Sequence, residues 1–126
     1  MRSKLLMVAV VVVAVTAGLS GVAAAVPPPA TTTVTIQAQG TDLSGRVSST
    51  APLRCANNRT VLVYKQIGTR GGGNDIRFAS DTASLQGNTY RWSTGNTGTP
   101  GFFYSKVVPK TGCRGDTSNT IHVLST

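Results

Sequence analysis

Glutamate is missing from this chain altogether. The only acidic residues are Asp42, Asp75, Asp81 and Asp116, and the only histidine is His122. That scarcity weighs against most hydrolytic chemistry. Glycosidases need two carboxylates facing each other across a bond, and four scattered aspartates indicate no such pair. Metal sites need clustered His, Cys or Asp, and the aspartate spacing matches no calcium loop. There is no Gly-x-Ser-x-Gly elbow to seat a serine nucleophile. No phosphate-cradling glycine motif leads into a helix. An isolated histidine in a terminal strand reads as a surface residue. The sequence therefore points away from an enzyme and calls for no cofactor or metal. It names no partner.

Cysteine is also scarce: Cys55 and Cys113 are the only two. A redox pair would need C-x-x-C, and zinc would need four ligands. The remaining reading is a single structural disulfide in an oxidising compartment. The N-terminus agrees with export. Arg2 and Lys4 precede an apolar run from Leu5 to Ala17, interrupted by Thr16 alone. Gly18, Ser20 and Gly21 follow, then Ala23-Ala24-Ala25, small residues suited to cleavage after Ala25. Residues 1–25 are thus read as a signal peptide and the protein as secreted. The rival is an uncleaved anchor, since Leu5 to Val26 has about the 20 residues that span a bilayer. No charged stop-transfer cluster follows it. After cleavage no transmembrane segment is expected.

Residues 26–32 contain Pro27-Pro28-Pro29 and read as a stiff polyproline II lead-in. Residues 33–126 are enough for one compact domain and not for two. So small a domain buries only about two-thirds of its unfolded surface, which gives a covalent staple value.

Basic residues are not scarce. With Arg2 and Lys4 removed, ten lysines and arginines face the four aspartates, a net charge of +6. Such a domain is drawn to polyanions such as wall polymers, acidic glycans, anionic lipid or stray nucleic acid. No consecutive basic run appears, and solubility alone also accounts for the charge. No specific nucleic-acid partner is expected.

Period-two alternation predicts seven strands. Thr33 to Gln39 places Val34, Ile36 and Ala38 on one face. Leu43 to Ser48 is half-buried. Thr60 to Gln66 is apolar on both faces, as in a central strand. Ile76 to Ser80 follows, then Thr89 to Ser93 with Tyr90 and Trp92 on one face, Gly101 to Val108, and Thr120 to Leu124. No segment has a helical period. Gly- and Pro-rich connections separate the strands, and the stretch Gly68 to Asp75 reads as a flexible loop. The expectation is an all-β, seven-stranded antiparallel sandwich of immunoglobulin-like type.

A resemblance supports it. Leu43-Ser44-Gly45-Arg46-Val47-Ser48-Ser49, Arg59-Thr60-Val61-Leu62-Val63-Tyr64, Gly87-Asn88-Thr89-Tyr90-Arg91-Trp92 and Pro100-Gly101-Phe102-Phe103-Tyr104 occur in order around the two cysteines. Over most of the mature chain this is similar to the immunoglobulin-like, carboxypeptidase-regulatory or transthyretin-like modules of secreted bacterial proteins. The resemblance implies a non-catalytic module. In antibody-type domains the disulfide crosses the core between strands. Here Cys55 follows Pro52-Leu53-Arg54, and Cys113 sits in Gly-Cys-Arg-Gly, so a loop-to-loop disulfide is expected at one end of the sandwich.

Four basic residues fall in those two loops: Arg54, Arg59, Lys110 and Arg114. They form the candidate site for an anionic partner, with Asp116 among them as an ion-pair candidate. The bland alternative is four solvated charges beside a structural bond. A third reading is a small protease inhibitor using Lys110 or Arg114 as its basic contact. Arg114-Gly115-Asp116 is an adhesion-type tripeptide that arises easily by chance. Asn58-Arg59-Thr60 is a glycosylation sequon. Arg70-Gly71-Gly72-Gly73 resembles Gly-rich RNA-binding segments but lacks interleaved aromatics.

Overall fold

A computed structural model of the chain describes residues 26–124. The signal peptide expected at residues 1–25 lies outside the described residues.

The described residues form ten strands, in two antiparallel sheets, and one short helix. The strands are β1 (Thr32–Val34), β2 (Gln37–Gln39), β3 (Asp42–Ser49), β4 (Thr60–Lys65), β5 (Ile76–Thr82), β6 (Ser84–Gln86), β7 (Thr89–Asn96), β8 (Gly101–Val107), β9 (Asp116–Thr117) and β10 (Ile121–Val123). Helix α1 spans Pro52–Cys55. In sheet one the order is β1-β3-β7-β6, with β2 also on β3. In sheet two it is β10-β8-β4-β5, with β9 also on β8.

The seven expected strands are therefore ten. The stretch 33–39 breaks into β1 and β2, which pair with opposite ends of β3. At the break, Thr35 N–H donates to the Arg46 carbonyl (3.0 Å), and Arg46 N–H donates to Thr35 Oγ1 (2.9 Å). Val34 and Ile36 are buried as expected, but Ala38 beyond the break is exposed. Strand β6 was not anticipated because Ser84-Leu85-Gln86 is exposed throughout and gives no alternation. Strand β9, only two residues long, pairs with Lys106 and Val107. Helix α1 also escapes the periodicity reading. It is a single turn, started by Pro52 at a position where a missing N–H costs nothing.

The core lies between the sheets. Leu43, Val47 and Trp92 from sheet one meet Val61, Val63, Phe103, Val107 and Val123 from sheet two. Trp92 and Phe103 are its largest fully buried side chains. A register shift after Val63 leaves Phe78 as the extra residue on β5, and its ring meets Phe103 edge-on, centroids 5.1 Å apart.

One polar point sits inside this core. The Thr35 carbonyl oxygen accepts from Trp92 Nε1 (3.1 Å) and from Ser105 Oγ (3.2 Å), so the interruption between β1 and β2 satisfies donors from both sheets. Gly45 makes room for it. A Cβ there would stand 2.0 Å from the Thr35 oxygen.

Candidate functional site

The crossover from sheet one to sheet two runs through α1. The Ser49 hydroxyl donates to the Thr31 carbonyl (2.7 Å) and accepts from Ala51 N–H (3.1 Å), which fixes the entry. Cys55 N–H closes the turn on the Ala51 carbonyl (2.8 Å). Asn58 then takes φ +58°, the only described non-glycine residue at positive φ, and redirects the chain into β4. The Asn58 side chain is exposed.

Facing α1 is the β8–β9 connection. Lys110 and Cys113 pair through two backbone bonds of 3.1 and 2.8 Å, leaving Thr111 and Gly112 as a two-residue tip. Gly112 has φ +78°, which glycine adopts without penalty. The lead-in chain docks alongside. Ala30 N–H donates to the Gly112 carbonyl, and Arg114 N–H donates to the Ala30 carbonyl, each at 2.9 Å.

The disulfide joins these two segments. Cys55 and Cys113 are bonded, with Cα atoms 5.5 Å apart, and both are buried. The expected clamp at one end of the sandwich is present, although Cys55 is carried by α1 and not by an irregular loop.

The four candidate basic residues divide into three and one. Arg54, Lys110 and Arg114 are exposed. Arg54 and Arg114 each adjoin a disulfide cysteine, and Arg54 Nη2 reaches to 3.5 Å from the Gly112 carbonyl. Arg59 is only 3% exposed. Its guanidinium donates to the carbonyls of Cys55 (2.8 Å), Val108 (2.7 Å) and Arg114 (3.0 Å). Burial pulls its pKa below the ordinary arginine value. Arg59 is thus not available as a surface contact. Its planar fork ties the α1 segment to the 108–114 turn from beneath, parallel to the covalent tie. A shallow cavity of about 260 Å³ between Asn58, Thr60, Pro109 and Lys110 lies beside it.

Among the described residues Asp116 forms no ion pair with these cations. Its Oδ2 accepts from Val34 N–H at 2.8 Å, linking β9 of sheet two to β1 of sheet one. The acid of the Arg-Gly-Asp tripeptide is therefore engaged within the fold. Asp81 Oδ2 accepts from Ser93 N–H (2.7 Å). Asp75 accepts from Ile67 N–H (3.0 Å), Gly71 N–H (2.8 Å) and the Tyr104 hydroxyl (2.5 Å). Three of the four carboxylates are thus spent on backbone N–H groups and a phenol.

Those Asp75 contacts revise the reading of Gly68 to Asp75 as a loosely held loop. Arg70 donates through Nη1 to the Ser118 carbonyl and stands 5.7 Å over the Tyr104 ring. Tyr104 stacks on Tyr64, centroids 5.4 Å apart. The loop is tied down over the outer side of sheet two. Next to it, His122 stacks on the half-exposed Phe102 ring at 4.2 Å. These aromatics lie on the outer side of sheet two and not in the core between the sheets. Alternation along β8 carried the missed signal, because Phe103 and Ser105 face inward and so Phe102 and Tyr104 cannot.

Among the described residues no group of three or more His, Cys, Asp or Glu side chains is placed to hold a metal ion. Among them, too, no helix is long and apolar enough to cross a membrane. No protein-family model matches the chain, and no curated protein is significantly similar to it.

Proposed function

We propose that this chain is an exported, non-catalytic interaction module of immunoglobulin-like build whose partner is a polyanion. The observation that carries the reading is the imbalance of available charge. Arg54, Lys110 and Arg114 are exposed around a frame braced by the disulfide and by Arg59. Three of the four acids, meanwhile, are occupied by N–H and O–H donors. Those carboxylates keep their charge, and the ten lysines and arginines of residues 26–126 still exceed the four aspartates by six, a net positive field that attracts anionic polymers and falls with ionic strength.

Strand order supports the immunoglobulin-like part. If β1 with β2, and β9 with β10, count as single interrupted strands, the chain letters read A-B-E-D in one sheet and G-F-C-C′ in the other. Immunoglobulin constant domains have ABED and CFG sheets. The disulfide is compatible with an oxidising, extracytoplasmic location.

The test is salt-gradient elution from a heparin column. Arg54→Ala with Arg114→Ala is expected to elute at clearly lower salt than the parent. Unchanged retention of the double variant would remove the disulfide-braced end from the proposal.

A further inference from the structure

The outer face of sheet one holds a second cationic feature that the sequence reading did not register. Arg46 on β3 lies directly across from Arg91 on β7. Their neighbours on either side, Gly45 with Trp92 and Val47 with Tyr90, face the core. Both arginines therefore project outward, and both are exposed. Like charges directly opposite on antiparallel strands destabilise a sheet. Among the described residues neither arginine forms an ion pair: Asp42, exposed on the same face of β3, lies four residues from Arg46, and Asp81, on β5 of sheet two, accepts from Ser93 N–H.

The arginines stand in a groove of mixed lining, hydroxyls and amides beside the apolar surface of Val47, Pro52 and Tyr90. One hollow of about 190 Å³ has Gln37, Ser44, Gln86 and Ser93 around Arg46 and Arg91. A second, of about 440 Å³, continues past Arg46 to Ser48, Ser49, Asn88, Thr89 and Pro52. Arg46 borders both. Arg91 is held in position by its Nε–H, which donates to Thr89 Oγ1 at 3.0 Å. From Ser44 to Val47, β3 pairs residue for residue with β7, so these groups are carried on a rigid frame.

From this arrangement we infer that the Arg46–Arg91 groove is a binding site for an acidic polysaccharide, with a sulfate or carboxylate seated between the two guanidinium groups. Guanidinium forks match both anions. The surrounding hydroxyls and side-chain amides match the hydroxyls of a sugar chain. A single-stranded nucleic acid fits less well, because base stacking needs exposed aromatic faces. The aromatics at this groove are Trp92, 1% exposed, and a single partly buried ring, Tyr90, which packs against the core and offers no run of stacking faces. Pro52, the first residue of α1, lines the larger hollow and also a further one bordered by Arg54. This inference rests on the polyanion reading above and assigns its main site.

The test compares the parent protein, Arg46→Thr/Arg91→Thr, and a charge-matched control, Arg77→Thr/Lys106→Thr, altered in sheet two. Binding to heparin, polygalacturonate, uncharged dextran and a single-stranded oligonucleotide is measured at about 150 mM salt, near a Debye length of 8 Å. Thermal unfolding confirms folding, and a Thr–Thr pair is favourable at this position. The expected result is parent binding to heparin or polygalacturonate but not dextran, weakened at least about tenfold in Arg46→Thr/Arg91→Thr and less than about twofold in the control. Equal weakening of both variants, or retained binding by the first, overturns the groove and leaves the polyanion reading standing. Tighter binding of the oligonucleotide than of either glycan overturns the polysaccharide assignment. Failure of the parent to bind any of the three anionic polymers overturns the polyanion reading itself.

Discussion

A Cβ placed on Gly45 would stand 2.0 Å from the carbonyl oxygen of Thr35 and 2.6 Å from Trp92 Nε1. The break that divides the first strand into β1 and β2 folds that carbonyl inward, and only a residue without a side chain can lie beneath it. Gly45→Ala is expected to destabilise the domain by about 3 kcal/mol, the upper part of the range for overpacking a core. Urea unfolding monitored by Trp92 fluorescence checks this. The variant should also shift the emission of Trp92, because its indole N–H loses the Thr35 acceptor.

The disulfide closes a loop with a sequence separation of 58 residues. Chain-entropy arithmetic for a loop of that length gives about 4 kcal/mol of stabilisation. Domains of this size are stable by only about 5–15 kcal/mol, so Cys55→Ser/Cys113→Ser is expected to bring the protein close to its unfolding threshold. Chemical denaturation of the variant against the parent measures the difference. A change below about 1 kcal/mol would show that the other ties at this end suffice.

Arg59 is the principal one of those ties. Arg59→Met removes a buried guanidinium and strands the carbonyls of Cys55, Val108 and Arg114, with an expected loss of about 3 kcal/mol. Arg59→Lys should recover little, since an ammonium cannot fork across three acceptors. Arg59 and the disulfide hold the same two segments, so their losses should not add. A double-mutant cycle with Cys55→Ser/Cys113→Ser reads this coupling. Additive losses would show that the two ties act separately.

Tyr104 and Asp75 give the fold a pH signature at both extremes. Burial first, and then the hydrogen bond to Asp75, push the Tyr104 hydroxyl up to about 12. A group whose folded pKa is raised supplies stability below its unfolded pKa, about 10, that is lost as the pH rises through 12. Phenolate absorbance should show one tyrosine titrating late. Asp75→Ala should move it toward 10 without reaching it, because burial remains. The Asp75 carboxyl lies below its usual range, first because the Tyr104 hydroxyl donates to it and then because Gly71 and Ile67 N–H do. Its contribution is present above the ordinary carboxylate pKa near 4 and is lost as the pH falls through the depressed value. Protection factors of the amides in residues 67–75, corrected for the intrinsic pH dependence of exchange, should fall at acid pH in the parent and already be lowered at neutral pH in Asp75→Ala.

Legibility from sequence differs between the frame and the site. Strands with one buried face announce themselves, because successive side chains alternate. Val34, Leu43, Val47, Val61, Val63, Trp92 and Phe103 follow that rule and occupy the core. Leu85, exposed on the short β6, carries no such pattern, and Ala38 continues the alternation of Val34 and Ile36 yet is exposed past the break that the pattern does not reveal. The disulfide-braced end was legible because two cysteines allow one pairing, and strands that run up and down place alternate loops together. The burial of Arg59 was not legible. Nothing local distinguishes an arginine that solvates its charge from one that turns it onto carbonyls 49 and 55 residues away.

Composition and local pattern alone settle an all-β domain, its central strands and the pairing of Cys55 with Cys113, since each depends on alternation or on simple counting. Tertiary structure decides how the charges are used. It turns Arg59 inward, commits Asp75, Asp81 and Asp116 to N–H and O–H donors, and sets Arg46 across from Arg91. Those outcomes depend on strand register and on contacts distant in sequence, and the residues concerned look the same along the chain whichever partner the fold assigns them.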